Sequence, residues 1–423
     1  MPTFYSKLKT ICYFLLTILV FLGLYHQKMQ AQETNVLHFN FYSEDISLVF
    51  DPQMLNIRLE QNSDLAVNYS NYFDNLYEKT AYYYIIGSLR EIRTKLKLSN
   101  WFYYLLIQQT VDNLLSDHNL PPVYNELLTW FLLTKAGFYT SLNFDNSVVS
   151  VSVFTSNTVF DTLLEPFSIN TKTGWMVNLS ASNALRKGDK ALYQKIQKQT
   201  NFEPIYKQKI ILPFAFFIDS LPKLIQPKVD KKYVHFLHDN KEEEISYLND
   251  INYIELLYYH PSLSLEKSSH IPLPEITKTS LFDELKSRMA NMNDTEAVRY
   301  LMSFTRQAFV YASDDSLYKD TYDLINVTFS PTETLYYESS DCEDRAVLFA
   351  YLVRELLKLD VIIIEYDTHA NTAVLFDPPI GNDHIFYEGK TYSICDPTGP
   401  SNDMGIGQTP PKYRNAKYTV VKN

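Results

Sequence analysis

Cysteine is almost missing from this sequence, at three of 423 positions. An exported fold held by disulfides carries more, so a cystine framework is excluded. At most one bridge, Cys342 to Cys395, is open. Basic charge is also short. Lys and Arg number 38 against 49 Asp and Glu, for a net charge of −11, the wrong sign for a nucleic-acid face. Tryptophan occurs only at Trp101, Trp130 and Trp175. There is no D-x-D-x-D-G calcium loop. No apolar run reaches the ~20 residues of a membrane-spanning helix. The nearest is Ile11 to Tyr25, behind Lys7 and Lys9 and ahead of "HQKMQAQET". A basic start, a short apolar stretch and small Ala31 read as a secretory signal over residues 1–31, with cleavage expected near Ala31–Gln32. Cys12 would leave with it. The expected protein is secreted or periplasmic, bacterial in character, and free of the membrane once the signal is removed.

What is present is globular, with 46% hydrophobic and 21% charged residues and length for two or three domains. Its 33 Tyr and 26 Phe are scattered and read as core and half-buried strand positions. "LHFNFYSEDISLVFDPQMLNIRL" alternates as two strands. From Ser70 to Gly137 the spacing is helical, with Gly137 as a C-terminal stop. "FYTSLNFDNSVVSVSVFTSNTVFD" returns to strands around "FDNS", and "WMVNLSAS" and "KIILPFAFFI" are strand-like. "KKYVHFLHDNKEEEISYL" predicts a hairpin with a charged turn. "SSHIPLPEI" predicts a linker, dividing a mixed α/β region, 33–275, from a domain over 276–423. There, "NDTEAVRYLMSFTRQAFVY" predicts a helix with Asn293 and Glu296 as a capping box. A loop is expected from Ala312 to Ser340. The helix behind Cys342 is apolar nearly all round, so it should be buried. "VIIIEY", "HANTAVLF", a hairpin across Glu388–Gly389 and "AKYTVV" follow as strands. The fold class expected is α+β, a buried helix packed on an antiparallel sheet.

One stretch carries chemistry. In "SSDCEDRAVLFAYLVREL", Cys342 sits where the helix begins, with Ser340 or Asp341 as N-cap. Unpaired N–H groups and the positive dipole end favour a thiolate there. Glu343 and Asp344 suit the dipole and are expected to point away from the sulfur, Asp344 toward Arg345 or Arg354. A nucleophilic cysteine needs a base, and the base an orienting acceptor. His369 opens "HANTAVLF" and Asp396 closes "YSICDPT". Adjacent antiparallel strands bring two such residues side by side.

These segments resemble the signatures of the transglutaminase-like superfamily: a nucleophile in D-C-x-D before an apolar helix, His-Ala on a strand, and a strand ending Asp-Pro-Thr. "FTRQAFVYASDD" and "FSPTETL" resemble the family's upstream segments, and the likeness covers Phe282 to Val421. The resemblance implies a papain-like α+β domain. It implies Cys342 as nucleophile, His369 as base and acid, and Asp396 as orienting residue, acting on a peptide or protein amide through a thioester. The Cys342 backbone N–H would be one oxyanion donor, with Gln307 or Arg306 as the second. No cofactor or metal is expected. Hydrolysis by a peptidase or amidase is expected over amine transfer, since no tryptophan lies in the catalytic segment to shield the thioester from water. An amine-accepting transglutaminase and an inactive scaffold of the same fold are the alternatives.

Other residues have plainer readings. His384 is a lesser candidate for the base. Cys395 should face away from Asp396 as a small core residue, and Cys342, His369 and Cys395 fit no usual zinc spacing. His235 and His238 form a chance HxxH. Sequons at Asn68, Asn178, Asn293 and Asn326 are discounted in a bacterial protein. "MGIGQTPPKYRN" predicts a loop that, in this family, can flank the cleft. "NELLTWFLLTKAGFYTSLNFDNSVVSVSVF" resembles the catalytic helix-then-strand unit in shape. It lacks the Cys and the His, so it would be a degenerate copy.

Overall fold

The computed structural model describes residues 34–60, 64–160, 162–169, 171–199, 205–207, 212–258, 260–313, 328–398 and 404–422. The expected signal and Asn326 lie outside the described residues. The chain divides into two compact units, Met1–His38 with Ser47–Ser88, and Phe39–Ile46 with Leu89–Asn423. In the first, Asp51 caps the short helix Pro52–Asn56 and accepts the Ala81 N–H at 2.7 Å. The expected strand pair is β1 (Asn35–Phe41) and β2 (Glu44–Phe50). The helical stretch becomes α1 (Leu65–Lys79), α2 (Tyr83–Leu96), α3 (Asn100–Leu115) and α4 (Val123–Ala136). Gly137 ends α4 at φ 104, and its N–H returns to Leu133 and Thr134. A left-handed residue there is easiest for glycine.

Four strands follow α4: β3 (Thr140–Phe144), β4 (Val149–Thr155), β5 (Leu164–Ile169) and β6 (Lys172–Asn178). They form an antiparallel sheet in the order β3-β4-β6-β5. Helices α5 (Leu179–Arg186) and α6 (Lys190–Gln197) come next, so the strand expected in "WMVNLSAS" stops at Asn178, whose side chain caps α5. The described part of "KIILPFAFFI" is not a strand. It has no regular structure beyond one isolated bridge, Leu212 with Phe138, and Phe214 and Phe216 are buried; its hydrophobicity marks burial without a ladder.

The predicted hairpin is β7 (Val229–His238) and β8 (Lys241–Asp250). After α7 (Ile251–Tyr258), helix α8 (Leu265–Ser269) ends in the first two residues of "SSHIPLPEI", which leads into α9 (Glu275–Met289). The core does not pause at residue 275. Val234, Phe236, Ile245 and Tyr247 from the hairpin share one apolar cluster with Leu281, Leu301, Phe349 and Ile363. Helix α10 (Asp294–Gln307) starts with the predicted Asn293–Glu296 capping box. Strand β9 (Val310–Tyr311) precedes the loop expected from Ala312 to Ser340, and that stretch holds α11 (Pro331–Tyr336) and β10 (Ser339–Ser340). Helix α11 carries its own Ser330–Glu333 box with Pro331 in the first turn.

Helix α12 (Cys342–Leu352) passes into a π-helical turn, Val353–Leu357, and every residue of α12 except Glu343 is buried. It packs on β11 (Val361–Tyr366), β12 (His369–Leu375), β13 (His384–Tyr387), β14 (Lys390–Cys395) and β15 (Tyr418–Lys422). Their order is β13-β14-β12-β11-β15, and each pair is antiparallel. The arrangement is mixed α/β and compatible with the expected α+β class. Without β15, the order of connection and pairing matches that of α4 and β3–β6.

Candidate active site

Asp341 is the N-cap of α12, and Asp344 closes a capping box with it. Asp344 is not a solvated charge. It is buried and accepts the Phe329 N–H at 2.7 Å and the Asp341 N–H at 3.2 Å. Cys342 is thereby held as the first helical residue, with 7% of its surface exposed.

Strand β12 runs beside it. The Ala370 N–H donates to the Cys342 sulfur. His369, the neighbouring residue, places Nε2 3.4 Å from Asp396 Oδ2 and 3.4 Å from Thr398 Oγ1. The pairing of β12 with β14, Thr372 opposite Cys395, puts the two strand ends together. Thr398 fixes Asp396 by donating its N–H (3.0 Å) and hydroxyl (2.7 Å) to Oδ1. Burial pushes the Asp396 carboxyl up, but His369 and Thr398 outweigh it and hold the group below its ordinary value. The ring of His369 stacks on Tyr413, with centroids 4.5 Å apart and planes 9° off parallel. The glycine-rich loop therefore does flank this site. It is tied down where Gly407, at φ 72, crosses Gly381; a Cβ on Gly407 would lie 2.1 Å from the Ile380 carbonyl oxygen.

Glu343 departs from expectation. The Cys342 thiol donates to its Oε2 at 2.8 Å, and not to His369. The rest of the helix start is buried, so the thiol's available acceptor is the one carboxylate at the solvent edge. Burial, then Glu343 and Asp341, push the thiol well above its ordinary range, opposed by the Ala370 N–H. The Tyr311 hydroxyl also hydrogen-bonds Cys342, and burial with the nearby thiol and carboxylates raises its pKa.

Both second-donor candidates are engaged elsewhere. Gln307 Oε1 accepts the Leu237 N–H at 3.0 Å. Arg306 donates to the backbone carbonyls of Asp396 and Met404, so it braces the Asp-Pro-Thr turn. Arg345, one turn into α12, is completely buried. Its donors reach Ser340 Oγ (3.0 Å) and the carbonyls of Arg306 (2.9 Å), Thr398 (2.7 Å) and Phe309 (2.6 Å). Burial lowers its pKa to about 10. Reasoning from sequence missed both Tyr311 and this role of Arg345. The available signal was a lone cation inside an apolar helix.

Cys395 points into the core and Cys342 does not; both are free thiols. His384 is exposed on an edge strand. Asp341, Cys342 and Glu343 offer ligand atoms within 4.8 Å of one another, but Asp341 already caps the helix, and no histidine completes a usual zinc set. A cavity of about 530 Å³ opens far along the chain, between Asn40, Gln108, Asp112, Asn183 and Lys228; no triad residue lines it.

No protein-family model matches this sequence, and no curated protein or solved structure matches it.

Proposed function

We propose that this is an exported cysteine hydrolase of transglutaminase-like, papain-like type, a peptidase or amidase. One observation carries the reading. The Cys342 sulfur accepts the N–H of Ala370, while His369, the adjacent residue, is held by Asp396. On this reading the thiol at the helix start is the nucleophile and the imidazole at the start of β12 the base, and the Asp396 contact supports an oriented base.

The chemistry follows from these positions. Asp396 engages Nε2 of His369 and leaves the other ring nitrogen for the thiol proton. The sulfur attacks the amide carbon. Its oxyanion meets the Cys342 backbone N–H at the helix start and the Tyr311 hydroxyl. The C–N bond breaks as His369 returns the proton to the leaving amine. Water, deprotonated by His369, then opens the thioester and frees the acid. Hydrolysis is favoured over amine transfer because the tryptophans sit elsewhere: Trp101 packs on Tyr104, Phe216 and His260, and Trp130 is buried in α4. We also read the α4–β6 unit as a degenerate copy of the catalytic one.

A second reading, an inactive scaffold, draws support from the Glu343 contact, which opposes thiolate formation. A thiol-directed activity probe separates the two. Labelling at neutral pH should map to Cys342 and vanish in Cys342→Ala. An unchanged labelling rate in His369→Ala sinks the triad. With a peptide amide plus a millimolar primary amine, free acid should dominate the products; mostly amine adduct would favour a transferase.

A further inference from the structure

Glu343 stands apart from its surroundings. It is the one residue of α12 that is not buried, and its only hydrogen bond among the described residues is the one it accepts from the Cys342 thiol at 2.8 Å. A carboxylate so close repels the thiolate that the reaction needs. Resting on the hydrolase reading, we propose that Glu343 is a specificity-determining latch: it holds the Cys342 proton until a cationic group of the substrate, beside the scissile amide, pairs with its carboxylate.

The charges around the sulfur make the case. On its own helix stand Asp341, Asp344 and Arg345. Tyr311 of β9 and the Ala370 backbone of β12 lie at the sulfur, and His369, the residue before Ala370, is bound to Asp396. Arg345 cannot turn to Glu343, because its donors are spent on Ser340 and three backbone carbonyls. His369 presents Nε2 to Asp396 and Thr398. No basic side chain among the described residues answers Glu343, and Asp341 adds a second carboxylate within 4.8 Å. The solvent-edge carboxylate of Glu343 is therefore without a cation among the described residues. A lysine or arginine side chain, or a free α-ammonium group, supplies the missing charge. Once the carboxylate is paired with it, Glu343 no longer holds the thiol proton, which on the hydrolase reading passes to the imidazole of His369.

The test uses the full chain and Glu343→Gln, a near-isosteric change at a solvent-edge position. Iodoacetamide alkylation of Cys342 is followed from pH 5 to 10. The wild-type midpoint should lie above the ~8.5 of an ordinary thiol, and Glu343→Gln should lower it by about one pH unit or more, a rate gain at pH 7 of about tenfold. A matched pair of peptide amides, one with lysine and one with norleucine beside the scissile bond, then tests selectivity. Wild type should favour the lysine peptide in kcat/KM, and Glu343→Gln should lose the preference. An unchanged or raised midpoint in Glu343→Gln, or equal preference by wild type, overturns the latch. Its failure is distinct from failure of the hydrolase reading: if His369→Ala abolishes labelling while Glu343→Gln changes nothing, the triad stands and the latch falls. If Glu343→Gln accelerates alkylation but neither peptide is cleaved, the effect of Glu343 on the thiol stands and the hydrolase reading falls.

Discussion

The chain holds two helix-and-sheet units of one topology, and they differ where chemistry would occur. In each, a buried helix leads to four antiparallel strands, and the fourth pairs with the second. Matching Cys395 opposite Thr372 with Val177 opposite Val153 sets His369 against Ser150 and Asp396 against Asn178. The helix starts then set Cys342 against Val123 and Arg345 against Glu126. The contacts correspond as well as the positions. Asn178 Nδ2 donates to Ser150 Oγ at 2.9 Å, where Asp396 holds His369. Glu126 accepts from Ser180 Oγ at 2.6 Å, where Arg345 holds the Thr398 carbonyl. The frame thus tolerates either a thiol–imidazole–carboxylate set or a neutral one. The geometry of the position belongs to the fold; on the proposed reading, the reactivity belongs to three side chains.

The comparison can be broken most sharply at the orienting residue. Asp396→Asn should leave the fold intact and lower kcat by about 10³–10⁴-fold, the scale seen when an orienting carboxylate loses its charge. The counterpart change, Asn178→Ala, removes a helix cap and a buried hydrogen bond. It should cost about 1–2 kcal/mol in urea unfolding and leave kcat unaltered. Equal losses of activity from both would erase the distinction between the units.

Arg345→Met comes next. It strands buried carbonyls of Arg306, Phe309 and Thr398 without donors, and breaking such an arrangement costs about 3–5 kcal/mol. Denaturant melts should show this; a loss under 1 kcal/mol would mean the guanidinium is dispensable.

The smallest effect should be a pH dependence from Glu126. Burial pushes its pKa up to about 7, above the ~4.3 of an unfolded glutamate. The folded state therefore holds the proton more tightly. Its stabilising share is complete below pH ~4.3 and is lost as pH rises to about 7. Wild type should lose on the order of 3 kcal/mol at most between pH 5 and 8, and Glu126→Gln should lose far less. Parallel curves for the two would place the group in solvent.

Much of this was legible in sequence because it is local. The Asn293–Glu296 box, the Gly137 stop, the hairpins and the buried helix behind Cys342 each follow from a few adjacent residues. The order Cys342, His369, Asp396 was legible as motif, and strand pairing brought the last two together. What stayed hidden depends on distant partners or on rotamers. Whether Glu343 turns toward or away from the sulfur is a χ choice that helix-start statistics do not fix. The bracing role of Arg345 was not legible because its acceptors come from Arg306, Phe309 and Thr398, segments far apart in the chain. The "KIILPFAFFI" run read as a strand because hydrophobicity reports burial and not pairing. The likeness of the two units was visible only as a shape, since the matched positions share almost no side chains.

Arg345 has a consequence for the newly made chain. The carbonyl of Thr398 is among its acceptors, and that residue is synthesised some fifty positions after the helix it steadies. Chains fold from the N-terminus as they emerge, so for a time the guanidinium has no complete set of acceptors. The helix that carries Cys342 gains this anchor only after the segment around Thr398 has been translated and docked.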